Sequence, residues 1–143
     1  MTNSIESVQS TIIPTIRYKD AITAIKWLRE AFGFEEHLVV PGENNTIAHA
    51  QLVLGNGMIM IGSSRDDFFG QIQSPLSSID SPVSQSPYII VNDVDSHYEK
   101  AQSAGANIIF EPEDQPQGGR LYSCRDFEGN LWNFGSYNPW ATA

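Results

Sequence analysis

Three histidines hold most of the acid-base potential of this sequence, and His49 has the most informative neighbours. It lies in the run Ala48-His49-Ala50-Gln51-Leu52, whose period-two pattern predicts a β-strand. Successive side chains on a strand point to opposite faces, so His49 and Gln51 share a face that the alanines and Leu52 do not. An imidazole there can transfer protons or contact a ligand, which makes His49 the candidate catalytic residue. A strand with one solvated face explains the pattern equally well.

The other reactive side chains have weaker local support. His37 stands beside Glu36, but neighbours on a strand point to opposite faces and do not share a site. His97 falls early in a predicted helix, where we expect a solvated side chain. Cys124 is the only cysteine, so no intramolecular disulfide is expected; we interpret it as a packing residue, with a nucleophilic role left open.

Composition restricts the class of partner. The 17 acidic and 8 basic side chains give a formal net charge of -9, which disfavours nucleic acids and anionic membranes. No run approaches the roughly 20 apolar residues of a membrane span, and the first residues lack the features of a signal peptide. We therefore expect a cytoplasmic protein that binds neither nucleic acids nor anionic membranes.

An internal repeat organises the chain. Asp93 follows Asp20 by 73 positions, and Gly105 follows Gly33 by 72. Residues 129–135 line up with residues 56–62, again at 73. Three landmarks at nearly one offset indicate two tandem copies of the same unit.

The residue pattern of each copy predicts the element order β-α-β-β-β, so the predicted fold class is α+β. Asp20 is placed to cap a first helix that Gly33 ends, and a second helix is expected over about 95–104. We expect a single domain over 1–143, with module one at about 11–62 and module two at about 88–137. The connecting loop 63–87 is rich in Ser, Asp, Gln and Pro, and we expect its Phe68-Phe69 pair to dock over a cavity, on a partner subunit or in the core. The expected strands are 11–18, 36–40, 46–54 and 58–62, then 88–91, 107–110, 120–124 and 131–135.

The run Arg125-Asp126-Phe127-Glu128-Gly129-Asn130 resembles the closing motif of vicinal oxygen chelate domains, except that Phe127 replaces the usual proline. The two predicted helix starts are also similar to those of this family, and together these features cover about residues 11–137. The family includes glyoxalases, bleomycin resistance proteins and dioxygenases. The strand His49-Ala50-Gln51-Leu52 is similar to one in its PhnB-like branch.

The resemblance implies two βαβββ modules whose paired curved sheets form cups around a site, and it also implies a homodimer. Enzymes of the family hold a divalent metal ion with four side chains from the first and last strands of the modules. The matching positions here are Ile13, Met60, Ser86 and Asn133, none of which is a histidine or a carboxylate. We therefore expect no bound metal and no cofactor.

The 73-residue offset extends the predicted site to the second module. It matches His49 with Tyr122, and Arg120 shares the face of Tyr122, where it could bind an anionic ligand. By alternation, Trp132 and Phe134 belong to the core. The predicted ligand-binding residues are His49, Gln51, Met58, Met60, Tyr88, Arg120, Tyr122, Leu131 and Asn133, with Thr15 and Arg17 completing the wall.

Three functions fit these residues. The first is a metal-free protein that binds or sequesters a small organic molecule or drug in the cup. The second is a metal-dependent lyase, isomerase or dioxygenase of the same family, with His49 as base or ligand. The third is an interaction module whose cavity is filled by side chains. The residues alone identify neither the ligand nor a reaction.

Overall fold

A computed structural model describes residues 9–141. The stretch 1–8, for which we expect no signal peptide, lies outside that range. The first half contains β1 (Thr15–Tyr18), α1 (Ala21–Phe32), β2 (Glu35–Pro41), β3 (Ile47–Leu54) and β4 (Gly57–Ser63). A short helix α2 (Phe68–Ile72) follows in the connecting segment. The second half contains β5 (Tyr88–Ile90), α3 (Val94–Ser103), β6 (Asn107–Asp114), β7 (Arg120–Arg125) and β8 (Leu131–Gly135).

The predicted α+β class with two βαβββ repeats is confirmed. The first sheet has the order β1-β4-β3-β2 and the second has β5-β8-β7-β6. In each sheet the first and last strands of the repeat pair in parallel, and the other pairs are antiparallel. Pro41 and Pro112 lie on the edge strands β2 and β6, where a residue without an N–H is tolerated.

The helix boundaries follow the predicted capping residues. The Asp20 carboxylate accepts a hydrogen bond from the backbone N–H of Thr23 at 3.1 Å, and Gly33 ends α1 with φ 89°. Asp93 caps α3 in the same way through the N–H of Ser96 at 3.0 Å. No helix within residues 9–141 is long and apolar enough to cross a membrane.

The chain divides into two compact units. The first comprises the chain up to Arg29 and Gly33–Pro75, and the second comprises Glu30–Phe32 and the chain from Leu76 onward. The core of the first unit includes Tyr18, Ala50, Leu52, Ile59 and Ile61. The core of the second unit is aromatic and is formed by Phe32, Tyr122, Trp132 and Phe134. Trp132 and Phe134 are therefore core residues, as predicted from alternation.

The closing motif of the second unit is organised by the buried carboxylate of Asp126. Its oxygens accept hydrogen bonds from the backbone N–H groups of Glu128 and Asn130 and from the indole N–H of Trp132. Gly129 adopts φ 97°, a left-handed conformation that a side chain disfavours. The Arg-Asp-x-Glu-Gly-Asn pattern is thus a turn that ties the β7–β8 hairpin to a core tryptophan.

Candidate functional site

One face of the first sheet is left uncovered by α1. Ile22, Ile25 and Arg29 of α1 line a shallow groove with Val39 and Ile47, which identifies the helix-facing side. Cross-strand pairing identifies the side chains on the other face of this sheet, because directly paired residues point to the same side. Gln51 of β3 pairs with Leu38 of β2 and with Met60 of β4, and Met60 also pairs with Thr15 of β1. We call this surface the Met60 face. It includes Thr15, Arg17, Leu38, Val40, His49, Gln51, Val53, Met58 and Met60.

His49 and Gln51 form a polar pair in the middle of the Met60 face. Both are half-buried, and the amide nitrogen of Gln51 lies 3.0 Å from Nε2 of His49. An amide N–H can only donate, so Nε2 accepts and the proton of the neutral imidazole is on Nδ1. His49 therefore offers a donor to a ligand, while its Nε2 lone pair is already engaged.

Arg17 lies on the same face at the end of β1. It pairs with Gly62 of β4, and a Cβ built on Gly62 would collide with Nη1 of Arg17. The missing side chain of Gly62 therefore leaves room for the guanidinium to lie across the strand. Nη1 also donates to the backbone oxygen of Ser63 at 3.2 Å.

The corresponding face of the second sheet is occupied by side chains that bond to one another. We call it the Asn133 face. The Asn133 carbonyl accepts from the Ser123 hydroxyl at 2.7 Å, and its amide donates to Oγ of Ser86 at 2.8 Å and to the backbone oxygen of Pro87 at 3.0 Å. The Tyr88 hydroxyl donates to the backbone oxygen of Tyr137 at 2.7 Å. The Asn133 face consists of Tyr88, Ile90, Phe110, Leu121, Ser123, Leu131 and Asn133.

The predicted equivalence of His49 and Tyr122 is wrong. Tyr122 pairs with Phe134, lies on the helix-facing side of the second sheet and is fully buried. Its hydroxyl lies 2.6 Å from Nδ1 of His97, and burial raises its pKa far above the usual value. The residue that corresponds to Gln51 is Ser123, because Ser123 pairs with Asn133 as Gln51 pairs with Met60.

Arg120 shares the face of Tyr122, as expected, but that face is not open. Its guanidinium pairs with Asp95 of α3 at 3.1 Å and with Asp114 of β6 at 3.2 Å. These two carboxylates raise the pKa of Arg120 and already provide its anionic partners.

His97 is not the solvated residue that its helical position suggested. Its Nε2 donates to the backbone oxygen of Phe32 at 2.9 Å, and its ring lies against Phe134 with centroids 4.2 Å apart. Burial lowers the pKa of His97, and the nearby charge of Lys100 acts in the same direction. The imidazole is therefore a neutral core group that contacts three aromatic residues of the second unit.

Cys124 is poorly suited to nucleophilic chemistry. It is fully buried, and burial raises the pKa of its thiol to about 12. Because the thiolate is the reactive form, this environment supports the interpretation of Cys124 as a packing residue.

The residues at the family's metal-binding positions do not fit a divalent ion. Met60 presents a thioether, and the Asn133 amide already bonds to Ser123 and Ser86. Within residues 9–141, no group of three or more His, Cys, Asp or Glu side chains is arranged to hold a metal ion. These side chains therefore support no chemical step through a metal ion.

Three apolar residues of the Met60 face, Leu38, Val40 and Val53, were missed by sequence analysis. Leu38 and Val40 pair with Gln51 and His49, and both are exposed. The register of β2 shifts between Glu36 and Leu38, so simple alternation along the strand assigns the wrong faces. The apolar run after His37 was the only signal available.

Several known proteins share this architecture. Residues 81–134 match the family described as the Glyoxalase/Bleomycin resistance protein/Dioxygenase superfamily. The structure of TioX from Micromonospora sp. ML1 has a TM-score of 0.71 and 32% identity, over 90% of this chain and 99% of that chain. TnmS3, an antibiotic binding protein from Streptomyces sp. CB03234, has a TM-score of 0.65 and 19% identity, over 93% and 97% of the two chains.

A curated relative is similar over most of its length. It is an uncharacterized protein of Mycobacterium bovis, 29% identical over 130 residues, which are 90% of this chain and 84% of the relative. The repeated βαβββ topology, the turn around Asp126 and these similarities agree. The chain belongs to the glyoxalase/bleomycin resistance protein/dioxygenase superfamily.

Proposed function

We propose that the protein binds a small organic molecule without a metal ion, and that the Met60 face is the main contact surface. The observation that carries this proposal is the composition of that face. Thioether and aliphatic groups flank the polar pair His49–Gln51, and Thr15 and Arg17 lie at one edge, an arrangement suited to an amphipathic guest. Met58 and Met60 are flexible and polarisable, so they can adapt to a planar body.

TnmS3 shares this fold and is described as an antibiotic binding protein, so ligand binding of that kind is part of the proposal. Its identity of 19% shows a shared fold, and the ligand class belongs to the proposal. The engaged Nε2 of His49 also favours a donor role over that of a general base. Sequestration of a drug-like compound is the biological role that we infer.

The remaining parts of the proposal come from resemblance and composition. We place the protein in the PhnB-like branch on the His49-Ala50-Gln51-Leu52 strand and infer a cytoplasmic homodimer. The net charge of -9 argues against a nucleic acid or an anionic membrane as partner.

The test is binding of planar aromatic compounds to wild-type protein in EDTA, first by thermal shift and then by calorimetry. Met60→Gln should weaken affinity by about tenfold, because it replaces an apolar contact worth about 1–2 kcal/mol. Ile79→Gln is the matched control: Ile79 is 65% exposed and lies outside both sheets, so the affinity of this variant should equal that of wild type.

The competing enzymatic function has a distinct signature. A near-stoichiometric divalent ion in protein purified without chelator, together with loss of binding in EDTA, would favour a lyase, isomerase or dioxygenase. Equal affinities of wild type and Met60→Gln would remove the Met60 face from the binding site.

A further inference from the structure

We propose that Arg17 anchors the acidic group of the ligand, so that the preferred guests are organic acids in which a carboxylate is attached to a planar aromatic body. This inference rests on the proposed binding function and specifies its ligand class.

Arg17 is placed to act on the same ligand as His49. Arg17 of β1 pairs with Gly62 of β4. On the other side of β4, Ala50 of β3 pairs with Ile61, so the preceding residue His49 lies opposite Gly62 as well. The guanidinium lies over Gly62, so it occupies the gap between β1 and β3 in the row that contains His49. Neighbouring strands lie about 4.8 Å apart, so one carboxylate can reach both residues.

The guanidinium has unused hydrogen-bonding capacity. An arginine has five N–H donors, and Arg17 uses one of them within residues 9–141, in the bond from Nη1 to the Ser63 oxygen. Asp67, whose negative charge acts on Arg17, forms its ion pair with Arg65 instead. A planar carboxylate matches the fork of the remaining donors.

The electrostatic environment of Arg17 favours an anion. Burial lowers the pKa of Arg17, and the positive charge of Arg65 lowers it further. A partly desolvated cation beside a second cation gains more from a carboxylate than a solvated arginine does. This local positive charge stands out in a chain whose net charge is -9.

The surroundings of Arg17 also suit an aromatic body. The Phe69 ring of α2 lies with its centroid 5.2 Å from Cζ of Arg17 and 5.3 Å from Cζ of Arg65. Phe69 is 38% exposed, so part of its ring remains available for contact. Met58 and Met60 extend the apolar surface on the same face.

The experiment compares two probes that differ chiefly in charge, 2-naphthoate and 2-naphthamide, by calorimetry on the wild-type protein. The carboxylate should bind at least about tenfold more tightly than the amide, and added salt should reduce this preference. Arg17→Gln should reduce the preference to about threefold or less, and Arg17→Lys should retain part of it because the charge remains without the fork.

Two further variants separate position from charge. Gly62→Ala adds a methyl group where Nη1 of Arg17 lies, so it should weaken the preference while the net charge stays the same. Gly57→Ala on the same strand meets only the Leu54 oxygen at 3.5 Å and should behave as wild type. Arg29→Gln removes a charge from the helix-facing side and should also leave the preference intact.

The outcomes distinguish this inference from the proposed function. Equal binding of both probes, or a preference that survives Arg17→Gln, would overturn the role of Arg17 while binding itself stands. Failure of both probes to bind would overturn the ligand class and the proposed function together.

Discussion

At the scale of single residues, His97 shows how a polar side chain becomes part of an aromatic core. Its two ring nitrogens have different partners: Nε2 donates to the Phe32 backbone oxygen, and Nδ1 accepts from the Tyr122 hydroxyl. That arrangement requires the neutral imidazole with its proton on Nε2. Protonation of the ring removes the acceptor and charges a half-buried site, so the fold is coupled to pH.

We expect the free energy of unfolding to fall between pH 7 and pH 5 because of His97. The folded protein has a His97 pKa below the ordinary 6.5, so the unfolded chain binds the proton more readily. The contribution of His97 to the free energy of unfolding is therefore fully present above its pKa in the unfolded chain. It is lost as the pH falls towards its pKa in the folded protein. Urea unfolding at a series of pH values measures this slope.

The matched variants are His97→Gln and His37→Gln. The first removes the half-buried titrating group and should flatten the slope of unfolding free energy against pH, even if overall stability falls. The second changes an exposed histidine and should leave the slope as in wild type. A slope unaffected by His97→Gln would mean that other groups cause the pH dependence.

At the scale of elements, the connecting segment packs against the closing turn. Arg125 donates to the backbone oxygens of Ser81 at 2.9 Å and of Gly129 at 2.7 Å. A Cβ built on Gly129 would lie 2.5 Å from the Ile79 oxygen, so this glycine permits the close approach of the two backbones. The segment 79–81 is thus held on the β7–β8 turn.

Gly129→Ala should destabilise the protein by several kcal/mol, and Gly105→Ala by about 1 kcal/mol. Both glycines have φ 97°, so the strain of a left-handed alanine is common to both variants. Only at Gly129 would the added Cβ collide with another part of the backbone, that of Ile79, because nothing lies within 4 Å of a Cβ at Gly105. The difference in stability between the two variants, measured by thermal unfolding, gives the contribution of the contact between segment 79–81 and the β7–β8 turn. Equal losses of stability would show that this contact is not important.

The same turn explains the error in the predicted second-module site. In the β3–β4 hairpin four residues separate the paired Val53 and Met58, whereas in the β7–β8 hairpin five residues separate the corresponding pair Arg125 and Leu131. When β8 is aligned with β4, β7 is therefore shifted by one residue relative to β3. A displacement of one residue turns every side chain of a strand to the other face, so the position equivalent to His49 holds Leu121 and not Tyr122.

At the scale of the whole molecule, the acidic charge and the exposed apolar side chains have opposite effects on self-association. The net charge of -9 repels a second copy, but Phe68, Ile72 and Phe110 are each about two-thirds exposed or more. Phe68 and Ile72 lie one turn apart on α2, and a contiguous exposed apolar patch is commonly covered by a partner.

We expect light scattering after size exclusion to give a mass about twice the chain mass of 15.8 kDa. Salt screens the repulsion between acidic subunits, so the dimer should persist to lower protein concentration at high salt than at low salt. A mass of one chain at every protein and salt concentration would contradict the inferred homodimer.

The sequence by itself determined the repeat, the α+β class, the capped helices, the core side chains Trp132 and Phe134, and the shared face of His49 and Gln51. These features depend on short-range periodicity and on local capping, which the residue pattern contains directly. Only the tertiary structure decided the face of Tyr122, the burial of His97, the carboxylates around Arg120 and the inclusion of Leu38 and Val40. Those depend on strand register, a bulge and contacts distant in sequence, where a shift of one residue reverses the outcome.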